Sequence, residues 1–136
     1  MVEIHIDYEG QLRCRSVHGP SGTEVCSDAP VDNHGRGESF SPTDLVTTAF
    51  GSCLATIMGI VAEQNGIDLK GTKIAVKKIM SSDMPRRIVG LPTEIFVPLP
   101  ADHPRRQEIE SKALQCPVHQ SLHPDIDRPV TFHWEG

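Results

Sequence analysis

The sequence predicts an α+β fold on one domain, residues 1–136. Three observations carry that expectation. Alternating apolar and polar runs lie at both ends of the chain, a long uncharged helical segment lies between them, and a second helical pattern precedes the last strand. Strands segregated to the ends with helices gathered in the middle point to antiparallel sheets packed on helices rather than to a doubly wound parallel sheet. A chain of 136 residues can bury roughly two-thirds of its unfolded surface, so no cross-links are needed to hold it.

Each element has a local reason. "VEIHIDYEGQLRCRSV" alternates with period two on both sides of Glu9-Gly10, which predicts a β-hairpin, and "TEVCSD" adds a third short strand. Residues 28–40, "DAPVDNHGRGESF", have no periodicity and many turn formers, so they are a loop. Ser41-Pro42-Thr43-Asp44 then starts a helix: Ser41 can cap, Pro42 suits the first helical position, and Asp44 completes a capping box. That helix stops near Gly66. "GTKIAVKKIM" reads as a strand, and "RRIVGLPTEIFVPLP" as another interrupted at Gly-Leu-Pro. "HPRRQEIESKALQ" carries Ile109, Ala113 and Leu114 at helical spacing. "CPVHQSL" opens a short third helix on Pro117, and "DRPVTFHW" closes the chain as a strand.

Composition excludes several function classes. With 18 acidic against 13 basic residues the net charge is −5, and the basic residues cluster no further than the pairs at 77–78, 86–87 and 105–106; nucleic acid is not an expected partner. The N-terminus lacks the order of a secretory signal, so a cytoplasmic location is expected. From Leu45 to Ala62 the helix is uncharged, but Thr47, Thr48, Gly51, Ser52, Thr56 and Gly59 interrupt it, and it reads as a buried central helix rather than a membrane span. "AFGSCL" lacks the nucleophile elbow of a hydrolase, and phosphate-binding loops are absent. Cys116 and His119 are three residues apart, but no second Cys/His pair completes a tetrahedral set. Neither metal nor cofactor is expected.

Four cysteines, at 14, 26, 53 and 116, are the remaining chemistry. On a helical wheel Leu45, Val46, Ala49, Ile57 and Ile60 share the side of Cys53, and the helix is apolar nearly all round. Such a thiol is either inert packing or the reason for the helix. Cys116 directly precedes Pro117, at the cap of the last short helix, where unpaired N–H groups favour a thiolate. Cys14 and Cys26 fall in strands. A buried thiol needs a nearby cation to ionise, because desolvation alone raises its pKa; Arg36 is nearest in sequence, with Glu38 beside it, and Arg13 and Arg15 are rivals. Asp44 is out of phase with Cys53 and belongs to the cap.

"SPTDLVTTAFGSCLATIM", followed far downstream by "ALQCPVHQSL", resembles the OsmC/Ohr family of thiol-dependent hydroperoxide reductases. The resemblance rests on a Pro-containing helix start ahead of the first cysteine and on a second cysteine followed by Pro, with the same order of elements along the chain. It implies an intertwined α+β homodimer that reduces organic hydroperoxides and is recycled by an external dithiol. Cys53 matches the thiol that attacks the peroxide and becomes a sulfenic acid; Cys116 matches the resolving thiol that closes a disulfide with it. In the family an Arg holds the thiolate and a Glu orients the Arg. Thr43 stands where the acid is common, which leaves Arg36 as an approximate match and Glu38 as a substitute acid. An apolar site would favour an alkyl hydroperoxide over hydrogen peroxide, at about 25 cal/mol per Å² of apolar area buried. The alternatives are a catalytically weak relative that binds a small apolar ligand and, last, a thiol redox sensor.

Overall fold

Alternation in the first ten positions builds β1 (Ile4–Gly10), paired antiparallel with β2 (Arg13–His18). The hairpin turns on Gln11 and Leu12, both with positive φ (53° and 62°), which is the backbone that matches the twist of two paired strands. The Leu12 N–H donates to the Tyr8 hydroxyl at 3.3 Å and fastens that turn. β3 (Glu24–Asp28) pairs with the other edge of β2, giving the order β1-β2-β3. The loop that follows contains a single 3-10 turn, Val31–Asn33. It folds back on the sheet through Asp28 N–H to the Phe40 carbonyl and Ala29 N–H to the Leu12 carbonyl, each 3.0 Å.

A computed structural model describes all residues, 1–136. The chain divides into two compact units, Met1–Val46 and Thr47–Gly136.

The long helix α1 runs Pro42–Gln64. Its start is the capping box read from the sequence: the Asp44 N–H donates to Ser41 Oγ at 3.1 Å, and the Ser41 N–H donates to Asp44 Oδ2 at 2.9 Å. Its end is a Schellman arrangement, with Gly66 at φ 65° and the Ile67 N–H reaching back to the Ala62 carbonyl at 2.9 Å. By length and composition α1 could cross a bilayer, but Phe50, Leu54 and Met58 have no exposed surface, and it serves as the core helix of the larger unit. The buried stripe is Phe50, Leu54, Met58 and Val61, a face that the wheel, apolar nearly all round, did not single out. Val46 and Ile60 are exposed, while Cys53 and Ile57 pack partly against the core. A helix apolar nearly all round carries no intrinsic preference for one face, so its tertiary partners select it.

Those partners are strands and a second helix. β4 (Lys73–Val76) pairs antiparallel with β7 (Thr93–Val97), and β5 (Ile79–Met80) pairs antiparallel with β6 (Ile88–Gly90). The two strands expected over 71–80 and 86–100 thus each break in two, one at Lys77-Lys78 and the other at Leu91-Pro92. Pro92 has no N–H to give a ladder, and its carbonyl instead accepts from the Lys77 N–H at 3.0 Å. α2 (Arg106–Ala113) buries Ile109 and Ala113, α3 spans Pro117–Ser121, and β8 covers Val130–Trp134. β8 pairs parallel with β7, from Thr93↔Val130 to Val97↔Trp134. The sequence suggested only antiparallel pairing; the intervening segment holds two helices, the length of connection a parallel crossover requires. The core joins Phe50, Leu54, Met58 and Val61 of α1 to Ile95 and Val97 of β7 and Ile109 of α2. Trp134 Nε1–H donates to Glu110 Oε1 at 2.9 Å and ties α2 to β8.

Candidate active site

Cys116 is placed by two helix ends. Its N–H donates to the Ala113 carbonyl at 3.1 Å, closing α2, and Pro117 after it starts α3. A residue before proline is pushed to extended backbone, and Cys116 adopts φ −61°, ψ 146°. That conformation is also the one a helix cap needs. Its Sγ accepts the His119 N–H at 3.2 Å, so the cap read from the sequence is present. The side chain is fully buried.

Cys53, on α1, is half-buried, packs against the same core, and lies close enough to Cys116 to influence its thiol. Both are free thiols. Burial pushes the Cys116 thiol up from its ordinary value, and contact with Cys53 adds to the rise; the His119 N–H pulls the other way and is outweighed. The cap therefore does not make Cys116 a thiolate, contrary to the expectation from helix-end electrostatics. Desolvation wins over one hydrogen bond.

His119 adjoins Cys116, and Arg128 acts on His119. The His119 ring lies 5.8 Å from that of Phe50, tilted by 38°, and its Nδ1 is buried without a hydrogen-bond partner. Burial lowers the His119 pKa, and the charge of Arg128 lowers it further. Arg128 is fixed through Nη1, which donates to the Ile126 and His123 carbonyls at 3.0 and 3.2 Å, while its Nε is buried and unpartnered. In the sequence His119 stands out only beside Cys116, as an incomplete metal pair, and Arg128 belongs to no motif. The available signal was the spacing of His119, three residues after a capping position, which puts it back over the cap. Nothing in the sequence marked Arg128.

Arg36 and Glu38 belong to the first unit, where each has a different partner. Arg36 Nη2 donates to Gln11 Oε1. Glu38 lies 3.5 Å from Arg13, whose Nε and Nη2 grip both oxygens of buried Asp28 at 2.7 and 2.8 Å. That grip holds the Asp28 carboxyl below its usual range. The arginine–carboxylate cluster of this unit is thus centred on Arg13 rather than on Arg36. Arg15 is held by Glu24 and Asp7 at the surface. Thr43, which stands where an acid is common, has its Oγ1 3.2 Å from Ser41 Oγ. Cys14 pairs with Ser27 and Cys26 with Arg15, so these two thiols lie on opposite faces of their sheet.

The OsmC-like protein family model matches residues 35–128, a span that includes Cys53, Cys116, His119 and Arg128. The chain belongs to the OsmC-like family. A presumed osmotic stress induced and detoxification response protein of Psychrobacter arcticus 273-4 is 42% identical, with a TM-score of 0.91 over 98% of this chain and 96% of that one. Two more distant structures share the OsmC-like fold. An organic hydroperoxide resistance protein OsmC of Legionella pneumophila is 12% identical, with a TM-score of 0.77 over 98% and 96% of the two chains. A Vibrio cholerae O1 protein, provisionally named for organic hydroperoxide resistance and carrying captopril in one active site, is 16% identical, with a TM-score of 0.76 over 97% and 90%. No functionally curated protein is significantly similar. Membership of the OsmC-like family associates the chain with stress- and redox-related function.

Proposed function

We propose that this OsmC-like chain is a cysteine-based peroxidase that reduces organic hydroperoxides to alcohols. The observation that carries the reading is the contact between half-buried Cys53 and fully buried Cys116 in one apolar site. The Cys53 thiolate attacks the outer oxygen of a hydroperoxide, the O–O bond breaks, and the alkoxide leaves as an alcohol after taking a proton. Cys53 is left as a sulfenic acid. Cys116 then displaces that oxygen as water and forms a disulfide, which an external dithiol reduces by exchange. Apolar surroundings favour an alkyl hydroperoxide, as hydrogen peroxide has no carbon to bury.

The guanidinium that serves the Cys53 thiolate is proposed among Arg36, with Glu38 as the acid, Arg13 and Arg15. Single Arg→Gln variants decide between them by which one loses peroxide reactivity. The protein acts in the cytoplasm as a homodimer, a reading supported by apolar side chains on β1: Ile4, Ile6 and Tyr8 share one strand face and are 48%, 63% and 65% exposed. The family match across residues 35–128 supports a single OsmC-like domain.

Reduced protein treated with one equivalent of tert-butyl hydroperoxide should yield a Cys53–Cys116 disulfide by peptide mapping, and Cys53→Ser should abolish turnover. Recovery of both thiols unreacted would overturn the activity. A second reading, an OsmC-like dimer that binds a small apolar ligand without turnover, draws on the groove of about 400 Å³ between α1 and β4, lined by Thr48, Gly51, Ser52, Ile74 and Val76. It requires that such a ligand protect wild type and Cys53→Ser equally against heat.

A further inference from the structure

The dithiol chemistry above leaves one step without a group to perform it. Cys116 must lose its proton to attack Cys53, yet its surroundings favour the protonated form. Within the larger unit, two buried side-chain nitrogens lack a hydrogen-bond partner, His119 Nδ1 and Arg128 Nε. Buried polar atoms are seldom left unpaired, and those that are call for a reason. The first belongs to the residue whose backbone bonds Cys116 Sγ, the second to the arginine whose charge acts on that residue's ring. His119 is bonded through its own N–H to Cys116 Sγ, and its ring rests near Phe50, one turn before Cys53 on α1. A side chain three residues into a helix folds back toward the capping residue, the geometry that lets a capping-box acid reach its cap.

We propose that the His119 imidazole is the proton acceptor for Cys116 as the Cys53–Cys116 disulfide closes. The inference rests on the dithiol reading above. In the step, the Cys116 sulfur forms a bond to the Cys53 sulfur while the Cys53 S–O bond breaks. The Cys116 proton passes to His119 and from there to the departing hydroxide, which leaves as water. Cys116 is oxidised, the sulfenic sulfur of Cys53 is reduced, and His119 ends neutral as it began. Burial keeps the ring in the uncharged form that can accept, and Arg128 is the positioning residue whose charge, anchored by the His123 and Ile126 carbonyls, adds to that. The charged group that acts on the ring is Arg128, from the segment before β8, and Cys53 of α1 acts on Cys116 at the start of α3.

Single-turnover oxidation of the full chain by cumene hydroperoxide, quenched with acid and read by intact mass, separates the two steps. Sulfenic acid formation should run at the wild-type rate in His119→Gln. Disulfide closure should slow by about a hundredfold near neutral pH, the size of a lost acid–base group. The deficit should vanish as rising pH ionises Cys116 directly. Closure within twofold of wild type at every pH, or slowed by one constant factor across the range, would overturn the assignment. If the Gln variant does not fold, the wild-type closure rate must fall as pH drops through the imidazole range, and a flat profile counts against His119. A wild type that forms sulfenic acid without closing, or whose Cys53 does not react, fails one step earlier and removes the dithiol reading together with this inference.

Discussion

At the scale of single residues, Cys116 and His119 both carry shifted protons, and their signs set how stability depends on pH. The Cys116 pKa is raised from 9.0 by burial. The unfolded chain therefore ionises first as pH climbs past that value, and the folded state loses stability there. The His119 pKa is lowered from 6.5, by burial and then by Arg128. Here the unfolded chain binds the proton first as pH drops below 6.5, and stability falls on the acid side. Asp28, lowered by Arg13, adds to stability above its ordinary value and withdraws it as pH falls through the folded one. Urea midpoints measured across pH should decline on both sides of neutrality. Cys116→Ala should flatten the alkaline limb and leave the acid limb, and an unchanged alkaline limb would contradict the burial argument. Residue-scale legibility followed the range of the forces. Cys116 was readable because Pro117 dictates its backbone, and Ser41 and Asp44 because a capping box is local. The Glu38–Arg13 and Arg36–Gln11 contacts depend on how the loop returns to the hairpin, which sequence proximity does not reveal.

At the scale of elements, the helix ends were legible and the helix face was not. Reciprocal bonds between Ser41 and Asp44 fix where α1 begins, and Ser41→Ala should cost about 1 kcal/mol, visible in the thermal midpoint with the dithiol chemistry intact. A loss of peroxide reactivity in that variant would mean the cap does more than start a helix. Choosing Phe50, Leu54 and Met58 over the Cys53 side required β7 and α2, which lie more than 25 residues downstream. The strand breaks at Lys77-Lys78 and Leu91-Pro92 show a similar division. Proline announced its own interruption, while the matching break in the partner strand followed from pairing. Arg128 was invisible for a related reason: it acts on His119 from the segment before β8, whose parallel return to β7 was not legible.

At the scale of the whole molecule, the family and the α+β class were legible from two spaced cysteine contexts, and the parallel closure by β8 was not. The apolar face of β1, with Ile6 63% exposed, belongs to the proposed dimer. Ile6→Glu should convert the protein to monomer in sedimentation velocity, since a charge on a buried interface goes unpaired. Retention of the dimer would place the interface elsewhere.

The unequal accessibility of the two sulfurs has a directional consequence. Cys53 is partly open to solvent and Cys116 is sealed, so in the proposed cycle a regenerating molecule would dock on one end of the bridge only. It would link transiently to position 53 and expel the thiol at 116, whose raised pKa makes it a reluctant leaving group. Under that proposal recycling would be a one-way street with a slow gate, and the oxidised form would persist until a committed electron donor arrives.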